Sequence, residues 1–223
     1  MATVLITGAN RGIGLALARA FKHRGDNVIA ACRRSSDALD ALGVEVRTDV
    51  EVTDADALGR LARDLDGRRI DVLMLNAGIL HTESLDALDE AAAEAIRRQF
   101  EVNALGPLRA VAALRQRLGK GSKIAITTSR MGSIADNGSG GYYGYRMSKA
   151  AVNAAGKSLA NDLKADGIAV ALLHPGFVQT DMVGGRGDVT ADESAAGLIA
   201  RVDALSLEDS GGFWHANGQT LPW

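Results

Sequence analysis

Tyr145 and Lys149 are the residues whose types and spacing best suit proton transfer in this sequence. Residues four apart on a helix lie on one face, so the phenol and the ammonium would be neighbours. A free tyrosine has a pKa near ~10, and a nearby ammonium would stabilise the phenolate and lower that pKa. The pair is therefore predicted to deliver or accept a proton at a carbonyl oxygen.

Further polar and glycine-containing motifs stand where predicted strands end. They are Asn76-Ala77-Gly78, Ser129 and Pro175-Gly176-Phe177-Val178-Gln179-Thr180. The hydroxyl of Ser129 would hydrogen-bond the same carbonyl oxygen as Tyr145. Because ligands of open α/β sheets bind outside the carboxyl ends of the strands, we expect these motifs to meet at one edge.

A glycine-rich loop, Thr7-Gly8-Ala9-Asn10-Arg11-Gly12-Ile13-Gly14, joins the first predicted strand to the first helix. Glycines let the backbone approach a pyrophosphate, and the helix N-terminus offers free N–H groups and a partial positive charge. The spacing differs from the G-x-G-x-x-G of the long-chain dehydrogenases. The loop predicts a dinucleotide site, and a tight strand–helix turn is the alternative.

The residues that follow the second predicted strand favour NADPH over NADH. NAD-binding sites usually place an acid there for the ribose 2′-hydroxyl, whereas this chain has Cys32-Arg33-Arg34-Ser35. A guanidinium can grip a 2′-phosphate with paired hydrogen bonds, and Arg11 adds a second cation. The alternative is that Arg33 and Arg34 are solvated surface residues.

Apolar runs predict strands that alternate with helices. The strands are 4–6, 28–31, 44–47, 70–75, 124–127, 168–173 and 213–215. The helices are 12–23, a helix capped by Thr53 and ending near residue 65, 88–118 with an interruption near Gly106-Pro107, 142–165 and 191–202. Apolar strands without alternation indicate a parallel sheet covered on both faces. We expect an α/β fold with a single Rossmann-type, doubly wound parallel sheet of about seven strands, as one domain over residues 1–223.

Composition excludes several classes of function. The net charge of −2 and the 4% of aromatic residues argue against nucleic acid and anionic membranes as partners. Cys32 is the single cysteine, and none of the four histidines forms a metal-spaced pair, so no metal is expected. No signal peptide or membrane-spanning stretch is recognised, so a cytoplasmic location is expected.

Taken in order, the glycine loop, Asn-Ala-Gly, Ser129, Tyr-x-x-x-Lys and Pro-Gly resemble the short-chain dehydrogenase/reductase family over essentially the whole chain. The stretch from Ser129 through Lys149 resembles the branch that contains the sniffer carbonyl reductases and the bacterial C-factor proteins. The segment Leu221-Pro222-Trp223 also suits that branch.

The resemblance implies a catalytic role for four residues. Tyr145 would be the general acid in carbonyl reduction, and Lys149 would lower the pKa of Tyr145 and hold the nicotinamide ribose. Ser129 would position the carbonyl, and Asn103 would hold a water in a proton relay. A mid-helix polar residue is the plainer interpretation of Asn103.

The resemblance also implies a set of residues that bind NADP(H). The pyrophosphate turn would be formed by Gly8, Asn10, Arg11, Gly12, Ile13 and Gly14. The adenosine side would be bound by Arg33, Asp49, Val50, Asn76, Ala77 and Gly78, and the nicotinamide side by Tyr145, Lys149, Pro175, Gly176, Val178 and Thr180. A cap of the turn after the third strand is the plainer interpretation of Asp49.

Three functions stay open from the sequence. The favoured one is NADPH-dependent reduction of an aldehyde, ketone or quinone. The others are a C-factor-like signalling or protein-interaction role on a cofactor-binding fold, and an NAD-linked alcohol dehydrogenase. The partner is expected to be a small carbonyl or alcohol substrate, and a homo-oligomer, most simply a dimer, is expected from the family.

Overall fold

Seven parallel strands form one sheet in the order β3-β2-β1-β4-β5-β6-β7 in a computed structural model that describes residues 1–223. The strands are β1 Thr3–Thr7, β2 Asn27–Ala31, β3 Glu45–Arg47, β4 Val72–Leu75, β5 Lys123–Thr127, β6 Ala169–His174 and β7 Gly212–His215. The order reverses between β1 and β4, which creates a crevice at their carboxyl ends. The predicted doubly wound parallel sheet is confirmed.

Seven α-helices connect and cover the strands. They are α1 Gly12–His23, α2 Asp37–Asp40, α3 Ala55–Asp64, α4 Glu90–Phe100, α5 Gly106–Leu114, α6 Tyr143–Asp162 and α7 Ala191–Ala204. Helix α1 packs on α7, and α4 packs on α6. No helix has both the length and the apolar character that crossing a membrane requires.

The apolar core has two layers, one on each face of the sheet. Successive residues of a strand point to opposite faces, so Leu5 joins one buried cluster while Val4 and Ile6 join the other. Helices α3, α5 and α6 complete the first cluster, and α1 and α7 complete the second. This packing on both faces fixes the carboxyl ends of the strands, where the polar motifs lie.

Two helix starts differ from the sequence-based expectation. Asp54, rather than Thr53, caps α3, and its carboxylate accepts hydrogen bonds from the backbone N–H groups of Asp56 and Ala57 at 2.8 and 3.2 Å. The short helix α2 was not predicted, and the hydroxyl of Ser36 caps it. Neighbouring residues that can all cap a helix leave the first residue ambiguous in a sequence.

The predicted long helix 88–118 is interrupted by a π-helical turn, Glu101–Leu105, between α4 and α5. The backbone N–H of Gly106 donates to the carbonyl of Glu101, one residue further back than in an α-helix. In an α-helix the ring of Pro107 would clash with the carbonyl of residue 103. The wider turn relieves that clash, and the interruption lies directly before Gly106, near Gly106-Pro107 as expected.

Candidate active site

Tyr145, Lys149 and Ser129 come together at the carboxyl edge of the sheet. Tyr145 and Lys149 lie in the first two turns of α6, and Ser129 follows β5. The side chain of Ser129 lies close enough to the Tyr145 hydroxyl to affect its pKa. The Nζ of Lys149 lies 5.6 Å from the centroid of the Tyr145 ring. The structure therefore places these three side chains as the sequence predicts.

Burial raises the pKa of Tyr145 to about 12, and the hydrogen bond with Ser129 opposes this rise without cancelling it. Burial also lowers the pKa of Lys149 to about 8. The Nζ of Lys149 donates to the backbone carbonyl of Thr127 at 2.9 Å. The predicted lowering of the Tyr145 pKa is therefore wrong for the chain alone, because desolvation of the phenol is the largest effect on this pKa.

Asn103 lies in the π-helical turn and is 1% exposed. Its Oδ1 accepts from the backbone N–H of Ile79 at 2.9 Å, and its Nδ2 donates to the carbonyl of Ile79 at 2.9 Å and to the Oγ of Ser148 at 3.0 Å. Both N–H donors of the amide are thus used within the chain. Any water at Asn103 would have to bind a remaining lone pair of Oδ1 or the backbone.

Gly78 leaves the space between Asn103 and Lys149 open. A Cβ atom at position 78 would lie 3.3 Å from Oδ1 of Asn103 and 3.8 Å from Nζ of Lys149. A glycine therefore lets the backbone after β4 run close to both side chains without covering them. This local geometry explains why the third residue of Asn-Ala-Gly lacks a side chain.

Thr7 and Asn76 join the glycine loop to the end of β4. The Oγ1 of Thr7 accepts from the backbone N–H groups of Asn76 and Ala77 at 3.0 and 3.2 Å. The Nδ2 of Asn76 in turn donates to the carbonyls of Thr7 and Gly8, both at 3.3 Å. This role of Thr7 was not predicted from the sequence. A hydroxyl directly before the first glycine, at the end of a buried strand, was the available signal.

The glycine loop fits the pyrophosphate of a dinucleotide. Gly8 has a φ of +66°, and a Cβ there would lie 2.9 Å from the Cα of Ala77. A Cβ on Gly14 would lie 2.2 Å from the carbonyl oxygen of Gly8. No side chain caps α1, so its first N–H groups remain available to a bound anion.

Three of the predicted adenosine-side residues, Arg33, Asp49 and Val50, lie around the ends of β2 and β3, whereas Asn76, Ala77 and Gly78 follow β4. The exposed guanidinium of Arg33 lies 3.6 Å from the carboxylate of Glu51. The backbone N–H groups of Asp49 and Val50 bond to the carbonyls of Arg33 and Cys32, both at 3.1 Å. A 2′-phosphate at this corner would meet the cationic side chain of Arg33.

The segment after β6 returns to the glycine loop. The carbonyl of Pro175 accepts from the Oγ of Ser194 at 2.8 Å, and Val178 forms a bridge with Val189. A Cβ on Gly12 would lie 3.3 Å from Cγ2 of Thr180, which places Thr180 beside the loop. The predicted nicotinamide-side segment therefore borders the glycine loop at the carboxyl edge of the sheet.

This combination of fold and site defines an oxidoreductase class with a dinucleotide crevice and a tyrosine at its edge. Residues 2–190 match the family model described as short chain dehydrogenase. The chain belongs to the short-chain dehydrogenase/reductase family, as the motifs indicated.

Two curated relatives are similar to this chain. A 1-hydroxy-2-glutathionyl-2-methyl-3-butene dehydrogenase from a Rhodococcus species is 43% identical, and the alignment covers 100% of both chains. The C-signal protein of Myxococcus xanthus is 44% identical over 69% of this chain and 93% of its own length.

Solved structures of carbonyl reductases have the same fold. The carbonyl reductase Sniffer of Drosophila melanogaster superimposes with a TM-score of 0.91 at 29% identity, over 100% of both chains. A carbonyl reductase from Pseudomonas aeruginosa in complex with NADP superimposes with a TM-score of 0.85 at 36% identity, also over 100% of both chains. The predicted likeness to the branch containing sniffer and C-factor proteins is confirmed.

Proposed function

We propose that this protein reduces an aldehyde, ketone or quinone to an alcohol with NADPH, and that Tyr145 donates the proton. The observation that supports this most is the contact of three side chains. The side chain of Ser129 lies next to the Tyr145 hydroxyl, and Lys149 lies beside the ring. The N-terminus of α1, which no side chain caps, follows the glycine loop at the same carboxyl edge of the sheet.

The glycine loop would hold the pyrophosphate, and Arg33 would hold the 2′-phosphate. NADP in the Pseudomonas aeruginosa structure supports this choice of cofactor. When bound, NADPH supplies the hydride that reduces the carbonyl carbon. Lys149 would bind the nicotinamide ribose, and Thr180 would fix the ring's carboxamide.

The chain's own contribution to the chemistry is orientation and proton transfer. Ser129 donates a hydrogen bond that holds the carbonyl oxygen next to Tyr145. The hydroxyl of Tyr145 gives its proton to that oxygen as negative charge develops there. The buried ammonium of Lys149 stabilises the resulting phenolate, and Asn103 holds the backbone at Ile79 beside the pair.

The direct test is carbonyl-dependent oxidation of NADPH by the purified protein, in parallel with NADH, over a panel of aldehydes, ketones and quinones. Turnover with NADPH supports the proposal. NADPH binding without turnover on any member of the panel would favour the alternative of a signalling role. The similarity to the C-signal protein is the reason for considering that role. Failure to bind either nucleotide would overturn the cofactor assignment.

Arg33→Asp is expected to lower the ratio of kcat/KM with NADPH to kcat/KM with NADH by about 100-fold. A charge-assisted hydrogen bond contributes roughly 1.5–3 kcal/mol, and the new carboxylate adds repulsion toward the phosphate. Arg63→Asp makes the same charge change at an exposed position of α3 and should leave the ratio within about twofold. An unchanged ratio in Arg33→Asp would show that Arg33 does not bind the phosphate.

The pH dependence of reduction should follow Lys149 rather than Tyr145. The pKa of Tyr145 is about 12, so its hydroxyl stays protonated and able to donate throughout the range from pH 6.5 to 9.5. The pKa of Lys149 is about 8, so the ammonium is present below pH 8 and lost above it. The kcat/KM for NADPH, which reports the free enzyme, should be flat to pH 7.5 and fall above pH 8.

Lys149→Arg is the control for this profile because a guanidinium does not deprotonate in this range. Whatever activity the variant retains should show no decline above pH 8. A decline of equal steepness in Lys149→Arg would assign the titration to another group.

Oxidation of an alcohol is the second candidate function. It is favoured by the relative that is 43% identical over the full length and is named as a dehydrogenase. The raised pKa of Tyr145 opposes it, because oxidation needs the phenolate as base. Formation of NADH that depends on an added alcohol would identify this activity. An NAD-linked enzyme should also show the same activity with NADPH in Arg33→Asp as in the wild type.

A further inference from the structure

Glu83 is a buried carboxylate for which the proposed chemistry has no role. It is 8% exposed and precedes the 3-10 turn Leu85–Ala87. One oxygen accepts a hydrogen bond from the side chain of Gln99, which is fully buried on α4. The other oxygen accepts from the backbone N–H of Gly144 at 3.2 Å. A buried acid with no ion pair is costly, so its hydrogen bonds must hold it in place.

Helix α6 lacks a cap from its own sequence. The residue before it, Tyr142, has a φ of +53° and makes no capping hydrogen bond, and no acid lies in the first turn. The first N–H groups of a helix need acceptors, and a negative charge there is favourable. Glu83 supplies both from 61 residues away in the sequence.

The contact depends on the absence of a side chain at position 144. A Cβ there would lie 2.5 Å from Nε2 of Gln99, 2.7 Å from Oε1 of Glu83 and 2.9 Å from Cγ1 of Ile96. Glycine therefore lets the first turn of α6 approach the carboxylate directly. Tyr145 is the next residue, so the carboxylate holds the peptide unit between Tyr143 and Gly144, directly before the one that leads into Tyr145.

A second polar contact lies one helical turn further along α6 and along the chain from α4 into the π-helical turn. The Nδ2 of Asn103 donates to the Oγ of Ser148, next to Lys149. Gln99 also accepts the backbone N–H of His81 at 2.9 Å, which fixes the segment that carries Glu83. Two polar contacts therefore hold α6 against α4 and the π-helical turn. The contact through Glu83 binds the N–H of Gly144 before Tyr145, and the contact through Asn103 binds Ser148, whose hydroxyl donates to the carbonyl of Tyr145 at 2.8 Å.

We propose that Glu83 is a positioning residue that holds the first turn of α6, and through it the Tyr145 hydroxyl, in place against Ser129. This rests on the proposed role of Tyr145. Loss of the carboxylate would let the turn move. Displacement of a reacting group by about 1 Å can cost up to about 100-fold in rate.

The test compares Glu83→Ala and Glu83→Gln with the wild type, and Glu94→Ala on the exposed face of α4 serves as the matched control. In Glu83→Ala we expect kcat per NADPH-binding site to fall about 10- to 30-fold while the KM for NADPH stays within about twofold. In Glu83→Gln one amide oxygen still accepts a bond, so kcat should recover to within about threefold of wild type. Glu94→Ala should match the wild type.

Amide hydrogen exchange on the cofactor-free protein gives a readout that does not depend on turnover. Peptides covering residues 143–149 should exchange faster in Glu83→Ala, while the rest of α6 keeps its protection. If the wild type reduces no carbonyl, the proposed function fails, and the exchange result still decides whether Glu83 holds this turn. Unchanged exchange at 143–149 would overturn the proposal. The proposal would also be overturned if kcat in Glu83→Ala fell only in proportion to the fraction of the protein that is unfolded.

Discussion

Tyr145→Phe is expected to lower kcat for carbonyl reduction by about 1,000-fold, within the ~10²–10⁴-fold range of general acid–base catalysis. The change removes the hydroxyl next to Ser129 and leaves the ring beside Lys149. The Kd for NADPH should therefore stay within about twofold. Steady-state kinetics and titration of NADPH fluorescence measure the two quantities separately.

Tyr143→Phe is the matched control, because Tyr143 is a half-buried tyrosine in the same turn of α6. It should retain wild-type kcat. If Tyr145→Phe kept more than a tenth of the wild-type kcat, the proton would have to come from another donor, and the assignment of Tyr145 would be wrong.

Gly14→Ala is expected to raise the Kd for NADPH by at least about 100-fold and to lower the free energy of unfolding by roughly 1–3 kcal/mol, as overpacking typically does. The added Cβ would lie 2.2 Å from the carbonyl oxygen of Gly8 and 2.7 Å from Nδ2 of Asn76. Both are parts of the loop that would hold the pyrophosphate. Denaturant unfolding should be measured first, and NADPH titration then made on the folded protein.

Gly59→Ala is the control at another helical glycine, where we expect the added methyl group to stabilise the fold. A Cβ at position 59 in α3 would meet only Nη1 of Arg63, at 3.5 Å. Alanine should raise the free energy of unfolding by roughly 0.5–1 kcal/mol there, and the Kd for NADPH should not change. Wild-type NADPH affinity in folded Gly14→Ala would mean that the loop does not bind the cofactor as proposed.

The sheet and the grouping of the motifs could be predicted because they depend on local patterns. Apolar runs such as 70–75 mark strands that are buried on both faces. Motifs that directly follow such runs must lie at the carboxyl edge, whatever the details of the helices. This is why Ser129, Asn76 and Pro175 were placed correctly from order alone.

The features that were not predicted depend on distant contacts. The pKa of Tyr145 is set by burial under segments far apart in the sequence. Glu83 reaches Gly144 only in the folded chain, and nothing near either residue marks the pair. Thr7 and Ser148 bond to partners 69 and 45 residues away.

The π-helical turn Glu101–Leu105 has a consequence for how this gene can vary in length. Such a turn is equivalent to an α-helix with one residue inserted, and each residue of an α-helix turns the chain by about 100°. Deleting one codon here would allow a regular helix to form and would keep α4 and α5 joined. It would also rotate Asn103 away from Ile79. The number of residues in this turn is therefore constrained by the site, although the helix could form without the extra residue.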